Sequence, residues 1–72
     1  MSWNYRLVNM AHENGGEPWV QIMEVYYDDA GNPNGYADAT LGSETADLCK
    51  EVLAMMQSAF DKPVLIQEDF SA

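Results

Sequence analysis

Apolar and polar positions alternate from Trp3 to Met10, which puts Trp3, Tyr5 and Leu7 on one face of a predicted strand and Arg6, Val8 and Met10 on the other. Asn14-Gly15-Gly16 comes next. Consecutive residues at positive φ are cheap only for Asn and Gly, so the pattern predicts a hairpin turn there. The second strand begins near Pro18, where a missing amide is tolerated, and continues from Trp19 through Tyr27. Val20, Ile22 and Tyr26 point one way, and Trp19, Met23, Val25 and Tyr27 the other. Apolar groups on both faces mark a central strand. Asp28-Asp29-Ala30-Gly31 has the composition of a type I turn, and Tyr36-Ala37-Asp38-Ala39-Thr40 is predicted as the return strand of a second hairpin, with Asn32 to Gly35 lengthening the loop.

The period then changes from two to 3.6. Ser43 is the predicted N-cap of a helix running to about Phe60, with Glu44 and Asp47 in the first turn where the helix dipole favours negative charge. Lys62-Pro63 ends it, because the residue before proline is pushed out of helical geometry. At 100° per residue, Cys49, Val52, Leu53, Met56 and Phe60 form the predicted buried stripe, opposite Glu44, Asp47, Glu51 and Ser58. Leu48 and Met55 border the acidic stripe and offer a mixed apolar and acidic ridge. Val64-Leu65-Ile66 is a candidate short edge strand, and residues 67–72 are expected to be a mobile tail. The order β-β-β-α, with an optional fourth strand, is an α+β fold: an antiparallel three- to four-stranded sheet with one C-terminal amphipathic helix on one face. The other face is then expected to meet water or a partner, exposing the set around Val20, Ile22 and Tyr26 or the set around Trp19, Met23 and Tyr27.

Seventy-two residues make one domain, spanning the whole chain, and a domain this small keeps a thin stability margin. Self-association is therefore one expectation. Twelve acidic residues against three basic ones give a formal charge of −9, which disfavours direct contact with nucleic acid or an anionic bilayer and favours a cationic protein surface. The lone cysteine, Cys49, fits a reducing compartment. With no secretion signal or long apolar run, the expectation is a cytoplasmic chain.

Candidate chemistry is sparse. His12 stands alone beside a turn and Cys49 falls on the predicted buried stripe, so no enzyme, cofactor or metal is expected. Asp28, Asp29, Asn32 and Asn34 gather oxygen atoms in one loop. Their spacing is not that of a calcium loop, and turn chemistry accounts for them. Glu24, a charge within an apolar strand, is expected to face solvent or to pair with Arg6 across the strands, with a recognition role as the alternative.

The Trp3-Asn4-Tyr5-Arg6 opening, the Glu24-Val25-Tyr26-Tyr27-Asp28 segment followed by Gly31 and Pro33, and the late Lys62-Pro63-Val64-Leu65 make this chain similar to a group of small bacterial and phage proteins of unknown function. The similarity spans most of the chain and departs between Asn9 and Pro18, where a shorter hairpin is usual. It implies no activity, cofactor or site.

Two functional expectations follow. The first is a small acidic binding protein, an inhibitor or regulator whose carboxylates at Glu44, Asp47 and Glu51, extended by Asp28, Asp29 and Asp38, occupy a basic surface of a partner, such as one that otherwise holds nucleic acid. Small phage proteins that block host defence, anti-CRISPR proteins among them, are the analogy. The second is a homodimeric structural or assembly module that uses the sheet face bearing Trp19, Tyr26, Tyr27 and Glu24.

Overall fold

A computed structural model describes residues 2–70. It contains β1 (Ser2–Asn9), β2 (Val20–Tyr27), β3 (Pro33–Asp38) and α1 (Ala46–Gln57), with 3-10 turns at Ala11–Glu13, Ser58–Asp61 and Gln67–Phe70. The strands form one antiparallel sheet in the order β1-β2-β3, so β2 is central, and the fold is α+β with β-β-β-α layout.

The turns follow from local chemistry. Between β1 and β2 the chain makes a 3-10 turn before closing through Gly15 and Gly16, both at positive φ (64° and 84°), and the Met10 amide bonds to the Trp19 carbonyl at 2.7 Å. In the second hairpin the Asp28 carboxylate accepts from the Ala30 and Asn32 amides at 3.0 and 2.9 Å. That side-chain bracket tightens the loop, so β3 starts at Pro33 rather than Tyr36. Proline is tolerated there because β3 is an edge strand and the register shifts at Tyr26/Tyr27 opposite it.

Strand register assigns the two sheet faces. Trp3 pairs with Tyr26, Tyr5 with Glu24 and Leu7 with Ile22, and α1 packs on this face: Tyr5, Met56 and Ala59 are buried together, bordered by Leu7, Ile22, Ala39 and Val52. On the opposite face Val8, Met10, Met23, Val25 and Leu65 form a second buried cluster with Tyr27, Tyr36 and Phe70 packed against it. The sheet is thus lined on both sides.

The second face is covered by the chain's own C-terminal segment. Leu65 makes a single parallel bridge to Val8 along the outer edge of β1, through its amide to the Leu7 carbonyl (2.9 Å) and its carbonyl to the Asn9 amide (2.8 Å). One bridge is not a strand, so the sheet stays three-stranded. Gln67–Phe70, expected to begin a mobile tail, is a 3-10 turn, and Phe70 meets Tyr36 edge-on at 5.0 Å; Ser71 and Ala72 lie outside the described residues. Arg6 ties the segment down by donating to the Pro63 carbonyl (2.8 Å) and the Tyr27 hydroxyl (3.2 Å).

Three expectations for the helix and its surroundings are corrected. The N-cap is Thr45, whose hydroxyl accepts from the Leu48 amide at 3.1 Å, and not Ser43. Phe60 is 64% exposed and Leu53 is exposed too, while Ala59 is fully buried. For Phe60 the cause is the 3-10 geometry at Ser58–Asp61: 120° per residue instead of 100° swings Ala59 onto Tyr5 and Phe60 outward. Finally, Glu24 and Arg6 do not pair. Alternation puts them on opposite faces, and Glu24 sits across from Tyr5.

Candidate functional site

The helix crosses its face of the sheet without covering all of it. Beyond its C-terminal end lies an open groove of about 440 Å³, lined by Trp3, Asn4, Tyr5, Met55 and Ser58. β1 supplies the floor: Trp3 and Tyr5, two residues apart, share a face and meet edge-to-face at 5.2 Å and 84°. The helix supplies the wall through Met55, and the Ser58 hydroxyl donates back to the Met55 carbonyl at 2.6 Å, which fixes the end of α1.

On the neighbouring strand, Tyr26 stands opposite Trp3 and Glu24 opposite Tyr5, so both belong to the same face as the groove floor. The Tyr26 hydroxyl donates to Glu24 Oε1 at 2.7 Å. That hydrogen bond, helped by desolvation and by the Glu24 charge, raises the Tyr26 phenol above its ordinary value of 10.0. Glu24 is consequently held in place beside an aromatic floor.

Met55 also belongs to the exposed flank of α1. Asp47, Glu51 and Met55 follow one another at four-residue spacing, with Leu48 one helical heptad before Met55, so carboxylates and apolar groups interleave along one side. Asp47, Glu51, Leu48 and Met55 are all exposed. The acidic flank and the aromatic groove therefore adjoin at Met55.

The remaining acidic candidates are elsewhere. Glu44 precedes the Thr45 cap, so it lies outside the helical spacing. Asp28 is engaged in its turn, and Asp29 is exposed beside it. Asp38 pairs with Met23, on the face away from α1, and the length of β3 separates it from Pro33 by roughly 17 Å. The six carboxylates do not form one array. Tyr27 and Trp19 likewise lie on the opposite face from Tyr26 and Glu24: the Tyr27 hydroxyl donates to Asn4 Oδ1 (2.7 Å), and the exposed Trp19 indole donates to Gln21 Oε1 (3.0 Å).

His12 has partners that the sequence did not indicate. Its Nε2 lies 3.2 Å from the Tyr36 hydroxyl and 3.5 Å from Glu13 Oε2, and the Tyr36 hydroxyl donates to Glu13 at 2.8 Å. The Glu13 hydrogen bond raises the Tyr36 phenol above 10.0, assisted by burial. Cys49 projects from α1 on the other side of the sheet, so the two do not form a nucleophilic pair. Among the described residues, no three His, Cys, Asp or Glu side chains are grouped to hold a metal, and no helix is long and apolar enough to cross a membrane.

Sequence reasoning missed Trp3, Tyr5 and Ser58 as residues lining a groove. The available signal was Trp3, the first large apolar side chain of an edge strand, on the same face as Tyr5. What it lacked was the place where the helix ends. No family model, curated protein or solved structure matches the chain.

Proposed function

We propose that this protein is a small, non-catalytic, cytoplasmic binding protein that occupies a basic surface of a partner protein, as an inhibitor or regulator in the manner of phage proteins directed against host defence. The observation that carries this reading is the continuity of the acidic α1 flank with the aromatic groove at Met55. An acidic stripe alone is ordinary solvated surface. An acidic stripe running into an apolar groove has the anatomy of an interface, with an apolar centre and a charged rim. The carboxylates are also uncommitted: among the described residues, Asp47 and Glu51 form no ion pair within the chain, so their charge is available to a partner.

A pull-down from bacterial lysate at low and high ionic strength tests the reading. Basic proteins retained at low salt and released at high salt are the expected result, and reversal of Glu44, Asp47 and Glu51 to lysine should abolish retention. Capture that is indifferent both to salt and to the reversal would sink it.

A second reading, a homodimeric assembly module, is favoured by the exposure of Val20 and Trp3 at the two ends of the α1-bearing face. It requires Tyr26→Arg to change the molar mass measured by light scattering, while the helix reversal leaves it unaltered.

A further inference from the structure

Away from α1, where the first loop meets β3, three polar side-chain atoms converge. His12 Nε2, Glu13 Oε2 and the Tyr36 hydroxyl oxygen stand 2.8, 3.2 and 3.5 Å from one another. The hydroxyl has one proton and gives it to Glu13, so it accepts from His12, and the imidazole proton sits on Nε2. Two protons thus hold three ligand-type atoms at the corners of a triangle. The His12 and Glu13 side chains are 26% and 59% exposed, so the triangle is open to solvent.

The size of that triangle points to an occupant. Ligands at about 2.0–2.1 Å around a tetrahedral zinc ion lie about 3.3 Å from one another. The three separations bracket that edge, and an ion just off the plane of the triangle reaches all three corners.

We propose that His12, Glu13 and Tyr36 form a zinc-binding site, with Nε2, Oε2 and the phenolate oxygen as ligands and the fourth position open to water. The inference is independent of the protein-binding surface beside α1.

Donor chemistry selects the ion. An imidazole nitrogen with two anionic oxygens suits zinc, whereas magnesium and calcium take oxygen ligands and about six or more of them. Binding displaces both protons of the triangle, the phenol's to solvent and the imidazole's to Nδ1. The frame is set in advance. The Tyr36 ring meets Phe70 edge-on at 5.0 Å, and the turn carrying His12 and Glu13 is held by the Ala11 amide donating to Asn9 Oδ1 and the Glu13 amide donating to the Met10 carbonyl, both at 3.0 Å. Glu68 lines the same hollow as His12 and adds negative charge beside the site. A bound ion joins the loop to the edge strand, the kind of staple that small domains use.

The test titrates zinc chloride into isotope-labelled protein at neutral pH in a non-chelating buffer, followed by NMR and by thermal unfolding. Saturation at one ion per chain is expected, with shifts centred on the His12 imidazole, Glu13 and the Tyr36 ring and a rise in melting temperature. Magnesium chloride at the same concentration should leave those signals in place. Tyr36→Phe, which keeps the ring against Phe70, and His12→Gln should each weaken zinc binding about tenfold or more. Zinc-free spectra show whether each variant is folded, and Glu13→Gln, at an exposed position, repeats the test if either is not. Shifts spread over Cys49, Asp47 and Glu51 without saturation mean an adventitious ion only and overturn the site. Wild-type affinity in a folded variant, or no binding at all, overturns it equally.

Discussion

Tyr26 donates to Glu24 at 2.7 Å, and that one bond has a pH signature. A phenol whose folded pKa is raised is stabilised in its neutral form. Its contribution to stability is complete below pH 10.0, the ordinary value, and is lost as pH rises through the higher folded value, because the native state then holds a proton that the unfolded chain has released. Glu24→Gln removes the main cause of the shift, so the phenolate absorbance titration should move to lower pH in that variant. A titration superimposable on wild type would show that the bond does not persist in solution. Packing at single residues is equally testable. Val25 is fully buried between Met23 and Tyr36, and Val25→Ala should cost about 2–3 kcal/mol in urea unfolding, whereas the half-exposed Val20→Ala should stay within about 0.5 kcal/mol. Alternation in the sequence already distinguished the side-chain faces here. It placed Arg6 on the other side of β1 from Trp3 and Tyr5, but which face of β2 meets that side is set by register, so the absence of a Glu24–Arg6 pair needed the Tyr5–Glu24 pairing to be seen.

Among the elements, the strands were readable because each residue reports its own face through a period of two, which local sequence fixes. The helix was readable as an element, with Val52 and Met56 on the buried side as predicted, but not in its ends, which fall at Ala46 and Gln57 instead of Ser43 and about Phe60. Its buried stripe depends on where the cap sits and on the switch to 3-10 geometry after Gln57, and neither is encoded by hydrophobicity alone. Thr45→Ala should therefore destabilise the protein by about 1 kcal/mol in thermal or urea unfolding, with Ser43→Ala close to neutral; the reverse ranking would return the cap to Ser43. The C-terminal segment was least legible. Val64-Leu65-Ile66 contributes a single bridge, and Phe70, in a polar stretch that reads as solvated, packs on Tyr36 only because the chain crosses the sheet to reach it. That crossing is a long-range fact. Phe70→Ala should cost about 1–2 kcal/mol by exposing the cluster it covers.

For the molecule as a whole, a formal charge of −9 on 72 residues has two opposed consequences. Self-repulsion within the chain is screened by salt, so the melting temperature should rise with ionic strength, while attraction to a basic partner should weaken over the same range. The composition was enough to expect a cationic partner. It was not enough to locate the surface, because the twelve carboxylates are spread along the chain and only folding brings Met55, which ends the Asp47–Glu51 flank of α1, beside Trp3 and Tyr5 while sending Asp38 to the other face. The most direct test of that location compares two double variants with the same change in net charge for affinity toward a captured basic partner at low ionic strength. Asp47→Lys with Glu51→Lys is expected to lose about tenfold or more, and Asp29→Lys with Asp38→Lys to remain within about twofold of wild type. Equal losses in the two variants would contradict a localised surface and reduce the interaction to net charge alone.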